Sequence, residues 1–359
     1  AMFWMDLDRV TIGVVLIGAL LVLIFMGMHI AVVLAGLAFL GIWMIRDNPK
    51  VAVRALQTAA TGSINRFEFG VVPLFVLMGM LVDVADVGKD AYKVAAWGLR
   101  KVRGGLGIAT VAANAVFAAV TGISIASAAV FSRVAVPQMV ANGYSTRFAA
   151  GTVAGSSVLG MLIPPSLLLI IYGFVSEQSV GRLFLAAVIP GIVLAAAFAA
   201  MILIIARLRP DLLGDVSAAE DLEPETVGSS LRKTAPILFL VVVVLGGIYA
   251  GWFTPTQAGA VGAAASLLVA LFRRKLGWGA LWRVLKETAQ ISVTILVLII
   301  AASAFTKMLA MSTIPREMVD FITAMGLGFW TFMLAYLAVV IVMGMFLDST
   351  SIILIIVPL

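Results

Sequence analysis

The run LGIATVAANAVFAAVTGISIASAAVFSRVAVPQMV, residues 106–140, decides the fold. It is apolar and rich in small residues, yet much longer than the ~20 residues that carry a helix across a bilayer. Near its middle stand Thr121, Gly122, Ser124 and Ser127. Two half-depth helices meeting at that small hydroxyl-bearing tip, a re-entrant hairpin, would account for the length, the glycine and the hydroxyls. Non-helical backbone survives at membrane depth only where it is buried or lines a cavity. Two full spans with a tight turn between them would account for the length alone.

The rest of the chain has the same character. Of its 359 residues 63% are hydrophobic and 12% charged, and the mean hydropathy is +1.16. So few charges cannot clothe a globular surface, which excludes soluble enzymes, helical DNA readers and disordered chains and predicts an all-α polytopic membrane protein embedded in a lipid bilayer. The net charge of +6 then reflects Lys and Arg gathered in cytoplasmic loops, with no nucleic acid as partner. There is no cysteine and one histidine, His29, so the composition offers no disulfide, no thiol nucleophile and no His-based transition-metal site. No Walker lysine, paired-aspartate or HExxH motif occurs, so neither ATP hydrolysis nor an organic cofactor is expected.

Residues 11–45 read as two helices broken near Gly27, Met28 and His29, and residues 46–66, with Arg46, Lys50, Arg54 and Arg66, as an interfacial amphipathic helix. No signal peptide is expected in this stretch, which lacks a small-residue cleavage site. A span at 69–84, an interfacial segment at 90–103, the candidate hairpin, a span at 148–173 containing Pro164-Pro165 and a span at 183–206 follow. The long polar loop 207–234 carries Asp215, Glu220, Asp221, Glu223 and Glu225. Beyond it lie spans at 236–249, 256–272 and 291–309, an interfacial piece at 315–324 and an apolar block from Phe329.

Gly105-Leu106-Gly107 falls on Gly326-Leu327-Gly328, and at the same offset Val136-Pro137 falls on Val357-Pro358. This register predicts an internal duplication. If neither hairpin crosses, an odd number of crossings separates the two repeats, which makes them inverted, the design of secondary transporters. Most loop cations, among them Lys89, Lys93, Arg100, Arg147, Arg207, Arg232, Arg273 and Lys286, fall on one side, which the positive-inside rule makes cytoplasmic. That places the first hairpin's mouth inside and the N-terminus outside.

Pro164-Pro165, within GMLIPPS, removes two backbone donors and frees carbonyls one turn earlier. Beside the tip at Thr121 to Ser124 those carbonyls would make an all-oxygen site for a hard cation such as Na⁺. A kinked span whose Ser hydroxyls bond their own helix is the structural alternative. In the second repeat the tip reads FLDSTS, where Asp348 is the only acid in the block beginning at Phe329. An intramembrane carboxylate is costly and therefore a functional candidate, and an N-cap role for the next half-helix fits the same position. Ser156 and Ser157 are candidates for solute contact. Asn114 either braces the tip or makes an interhelical hydrogen bond. Gly151 and Gly155 read as a close-packing face, and Thr254-Pro255-Thr256-Gln257 as a capped helix start.

VVPLFVLMGMLVD (71–83), TGISIASAAVFSRVAVPQMVANGYSTRFAAG (121–151), LGMLIPPSLLLIIYG (159–173), GWFTPTQAGAVGA (251–263) and FLDSTSIILIIVP (346–358) together resemble the large membrane subunit of tripartite ATP-independent periplasmic (TRAP) transporters. The resemblance implies an elevator-type fold of the ion transporter superfamily with two inverted hairpin repeats. It divides the chain into scaffold helices at 1–66, a first transport repeat at 67–177, scaffold helices at 178–290 and a second repeat at 291–359 that ends inside its hairpin. It implies Na⁺-coupled uptake of an organic acid across the bacterial inner membrane, with a periplasmic substrate-binding protein and a small four-helix membrane subunit as partners. One Na⁺ site would use Thr121, Ser124, Gly160, Ile163 and Pro165. A second, incomplete without the following proline break, would use Asp348 and Ser349, and the solute would meet Ser124, Ser156, Ser157, Asp348 and Thr350. The sequence departs from the family pattern at Ile123, where a serine is commoner, and at Gln257, where glutamate is. Because its second hairpin stops short, this chain alone is expected not to transport. A stand-alone Na⁺/dicarboxylate or citrate symporter is the nearest alternative, and a membrane-embedded lipid enzyme a more distant one, since no acid pair or metal-ligand set converges.

Overall fold

A computed structural model describes residues 8–64, 67–213, 226–326, 328–345 and 347–357. Arg66, Leu327, Phe346, Pro358 and the acidic loop residues Asp215, Glu220, Asp221, Glu223 and Glu225 lie outside the described residues. Every regular element among the described residues is helical. In chain order these are α1 (Arg9–Phe25), α2 (Ile30–Arg46), α3 (Pro49–Ile64), α4 (Val71–Val84), α5 (Val87–Leu99), α6 (Gly105–Thr121), α7 (Ser124–Ala141), α8 (Thr146–Ser157), α9 (Leu159–Leu162) and α10 (Leu167–Val175). They continue as α11 (Val180–Leu208), α12 (Val227–Val241), α13 (Gly247–Tyr249), α14 (Pro255–Phe272), α15 (Trp278–Ser312), α16 (Ile314–Ala324), α17 (Phe329–Gly344) and α18 (Ser349–Ile356).

Most boundaries follow from local chemistry. Gly27, with φ +86, stops α1, and extended His29 starts α2. Thr254 accepts a hydrogen bond from the Gln257 N–H (3.3 Å), and the Gln257 side chain accepts one from the Thr254 N–H (2.9 Å), so a reciprocal cap with Pro255 at the first position opens α14. Two helices are longer than hydropathy predicts. α12 starts at its Thr226–Ser229 capping box rather than at Pro236, which sits inside the helix. α15 is continuous from Trp278, thirteen residues ahead of the apolar run, because its first turns carry Arg283, Lys286 and Glu287 on a helical frame that a hydropathy window misreads as loop. Among the described residues five helices are long and apolar enough to cross a bilayer, or up to seven with the bent pairs α4/α5 (60°) and α8–α9/α10 (44°).

The chain divides into two compact units. One comprises Ala1–Phe69, Ile171–Gln178 and Val293–Leu359. Within it α2 packs against α1 and α3, and Gly13 and Gly41 give room for Ile314 and Met308 respectively. α17 is apolar along its length and has no buried residue.

The other unit comprises Gly70–Ile170 and Ser179–Ser292. Its most extensive helix pair is α4 with α14, where Gly259 meets Leu74 and Phe75, and Gly262 meets Met78; small residues there let the backbones approach. At one end of this pair Arg273 donates to the Asp90 carboxylate (2.5 Å) and to the Ala85 carbonyl (3.0 Å), and Lys275 pairs with Asp86 (2.8 Å). The Asp86 carboxylate holds the Lys275 ammonium above the usual lysine range.

Residues 106–140 form two antiparallel helices, α6 and α7, turning at Gly122 and Ile123. Their 17 and 18 residues make arms of roughly 25 Å, longer than the half-depth helices expected from the sequence. α6 is buried on nearly every side, whereas α7 buries Ser124, Ser127, Phe131, Ala135 and Met139, a stripe at helical spacing. Phe117 and Phe131 join the arms edge to face at 5.7 Å.

Candidate functional site

The tip of the α6–α7 hairpin is seated on the proline break. Gly122 adopts φ +65, and a Cβ there would overlap the Pro165 carbonyl oxygen, so both conformation and space require glycine. The Leu167 N–H donates to the Gly122 carbonyl (3.1 Å), tying the start of α10 to the turn. A Cβ on Gly160 would lie 3.0 Å from the Ser124 nitrogen and Cα, so α9 lies against the first turn of α7. On the other side a Cβ on Gly79 of α4 would come 3.1 Å from the Thr121 carbonyl.

This seating gathers Thr121, Ser124, Gly160, Ile163 and Pro165 in one place. Pro164 has no N–H to give the Gly160 carbonyl, and Pro165 none for Met161. The Met161 carbonyl instead accepts from the Ser166 hydroxyl (2.5 Å), while nothing in the helix replaces the donor lost to Gly160. Thr121 is 1% and Ser124 8% exposed. The Thr121 hydroxyl bonds back to the Phe117 carbonyl (2.9 Å), leaving its lone pairs as an acceptor. Ser127, one turn into α7, is fully buried with no hydrogen-bond partner among the described residues. The arrangement therefore offers oxygens at a break in the helix, with no carboxylate, which suits a weakly held monovalent cation better than a divalent one.

Other expected residues stand apart from this cluster. Asn114 donates to the Ser156 hydroxyl (2.6 Å), which itself donates to the Thr152 carbonyl (2.6 Å). This is an interhelical bond between α6 and α8, one of the two roles open to Asn114, and it occupies Ser156. Ser157 bonds back to the Ala154 carbonyl (2.8 Å). Gly155 packs on Phe198, but Gly151 faces open space, so only half of the expected close-packing pair is used. Asp348, Ser349 and Thr350 belong to the other unit. There the Asp348 carboxylate accepts from the N–H groups of Thr350 (3.0 Å) and Ser351 (3.2 Å) and from the Ser351 hydroxyl, capping α18.

Two charged residues inside spans escaped the sequence reading. Arg133 is the only charge in α7 and borders a cavity of about 500 Å³ shared with Asp83, Asp86, Lys89 and Lys93. Lys307 is the only charge in α15 beyond Glu287. Each stands alone in an apolar run, and that isolation was the signal available.

Bent and broken apolar helices around a buried, hydroxyl-bearing hairpin tip are the fold of a multi-pass membrane protein, and the relatives of this chain make it a transport protein. Residues 17–359 match the family described as the tripartite ATP-independent periplasmic transporter, DctM component, and the chain belongs to that family. It is 35% identical over 310 residues to the C4-dicarboxylate TRAP transporter large permease protein DctM of Pseudomonas aeruginosa, covering 86% of this chain and 71% of that one. It is 33% identical to the protein of the same name from Rhodobacter capsulatus (97% and 80% covered) and 29% identical to the sialic acid TRAP transporter large permease protein SiaM of Vibrio cholerae (94% and 77% covered). Among solved structures the YdaH transporter of Alcanivorax borkumensis shares the fold, with a TM-score of 0.53 and 15% identity over 86% of this chain and 72% of that one.

Proposed function

We propose that this chain is the permease of a Na⁺-driven importer of a small organic acid, working in the bacterial inner membrane with a small four-helix subunit and a periplasmic binding protein. The observation that carries the reading is the fit of the Gly122 turn on the proline break, which brings the backbone of Ser124, at the first turn of α7, against Gly160. Na⁺ is held there by Ser124, Thr121 and the carbonyls of Gly160, Ile163 and Pro165, and the solute carboxylate adjoins Ser124. The names of the relatives favour a C4-dicarboxylate as the solute. Asp348 and Ser349 serve a second Na⁺ and Thr350 the solute, with Asp348 acting through the helix start it caps.

The hairpin is re-entrant in this proposal, and its seat moves with it across the membrane as one rigid body. The repeats at 67–177 and 291–359 carry the cargo against helices at 1–66 and 178–290. Co-reconstitution of a permease whose second hairpin is complete with its small subunit and binding protein tests the function. Uptake of radiolabelled succinate should require an inward Na⁺ gradient, and K⁺ should not substitute. Uptake without Na⁺ would refute the coupling, and uptake without the binding protein would point to a stand-alone symporter.

A further inference from the structure

Lys307 lies in α15 five residues from its end, inside the apolar run that the sequence marks as a span. An ammonium at such a position needs an anion, a ring of acceptors or water. Among the described residues it makes no hydrogen bond or ion pair. Instead it lines a cavity of about 340 Å³, built wholly within the unit that contains α3 and the end of α10. Thr58 and Ser303 supply hydroxyls to that cavity, and Phe69 stacked on Phe174 (4.6 Å between centroids, 4° between planes) forms an apolar wall. Glu177 also borders it, on the turn after α10, with a left-handed φ of +55 that a glutamate adopts at a cost.

We propose that this cavity is a second carboxylate-binding site, separate from the hairpin tip, in which the Lys307 ammonium and the Ser303 hydroxyl bind the solute's carboxylate and Phe69–Phe174 covers its carbon skeleton. One cation, hydroxyl donors and an apolar wall match a small organic acid, and the volume falls in the range of small-molecule pockets. Glu177 repels the same anion and thereby keeps the site weak, as a station on a transport path must be if its ligand is to leave. By the charge asymmetry of the loops, this end of α15 faces the periplasm, where the solute arrives. The proposal rests on the transport reading for the identity of the anion, and on the cavity alone for the site.

The absence of cysteine from these 359 residues gives a clean test. Ser303→Cys places a single thiol in the cavity, to be labelled in detergent with anionic and cationic methanethiosulfonates of similar size. A lysine nearby should favour the anionic reagent by about threefold or more. Lys307→Gln should abolish that preference, Lys307→Arg should keep it, and Glu177→Gln should increase it. Millimolar succinate should slow labelling, and Lys307→Gln should remove the protection. No charge preference together with no protection by succinate overturns the proposal, as does protection by phosphatidylglycerol but not by succinate, which would make the cavity a lipid headgroup site. Labelling needs no ion gradient, so the two readings fail separately. Protection without Na⁺-driven uptake would sink the transport reading alone, and Na⁺-driven uptake without protection would sink this site alone.

Discussion

Gly122 and Pro165 approach so closely that no side chain fits between them: a Cβ on Gly122 would occupy the place of the Pro165 carbonyl oxygen. Gly122→Ala therefore adds a backbone clash to a left-handed φ that alone costs about 1–2 kcal/mol. The tip should lift from the break. Thermal unfolding should show a lower midpoint for the variant, and added Na⁺, which should raise the midpoint of the parent protein by mass action, should no longer do so. A variant that keeps the parent's Na⁺ response would show that the seat does not hold the ion.

Ser124→Ala separates binding from folding. Among the described residues the Ser124 hydroxyl makes no hydrogen bond, so stability without Na⁺ should change by less than about 0.5 kcal/mol. The Na⁺ concentration for half-maximal uptake should rise roughly tenfold or more, as expected when one charge-assisted ligand is lost. Equal loss of stability with and without Na⁺ would assign Ser124 a structural role only.

Ser127→Ala tests the buried hydroxyl that has no partner among the described residues. Removing an unsatisfied group should leave Na⁺-free stability unchanged or raise it by up to about 1 kcal/mol. A marked drop in the unfolding midpoint without Na⁺ would mean that the hydroxyl is satisfied in the folded protein.

The Asn114–Ser156 bond couples α6 to α8 across the hairpin's inner face. A double-mutant cycle of Asn114→Ala and Ser156→Ala should give a coupling of about 1 kcal/mol in unfolding; Ser156→Ala should cost about 1–3 kcal/mol because the Asn114 amide loses its acceptor, and Asn114→Ala less, because the Ser156 hydroxyl keeps its bond to the Thr152 carbonyl. Additive effects would dismiss the bond.

At the end of the α4–α14 pair two ion pairs should differ. The Arg273 and Asp90 side chains are 20% and 18% exposed, so Arg273→Gln should destabilise by roughly 1.5–3 kcal/mol through loss of a charge-assisted bond and of the Ala85 contact. Lys275 and Asp86 are about half exposed, and Lys275→Gln should leave the midpoint unmoved in 0.15 M salt. Because the Lys275 pKa is raised, what its pair contributes is present at neutral pH and is lost only as the solution becomes strongly alkaline. Equal effects of the two substitutions would contradict this ordering.

Much of this architecture is legible in the sequence. Gly27 with His29, Thr254 with Gln257, and Gly122 between two apolar arms each carry a local signal that needs no tertiary partner to be read. The extension of α15 back to Trp278 is not legible, because Arg283, Lys286 and Glu287 share a helical frame that no hydropathy window detects. The arm length is not legible for a related reason: hydroxyls mark where a hairpin turns, not how far its helices run. The seat of Gly122 on Pro165 depends on two segments some forty residues apart, and pattern alone can only suggest their meeting. Lys307 and Arg133 could have been found, since each is a single charge in an apolar helix, but their cavities are a property of packing.

The depth of the Gly122 turn decides most directly whether the hairpin is re-entrant. A cryo-EM map of the permease in lipid nanodiscs with Na⁺ should show Gly122 and Ser124 within the hydrocarbon layer, against Gly160 and Pro165, with ion density among the Ser124, Gly160 and Ile163 oxygens. A map in which α6 and α7 carry Gly122 out through the opposite leaflet, away from the proline break, would contradict the re-entrant reading.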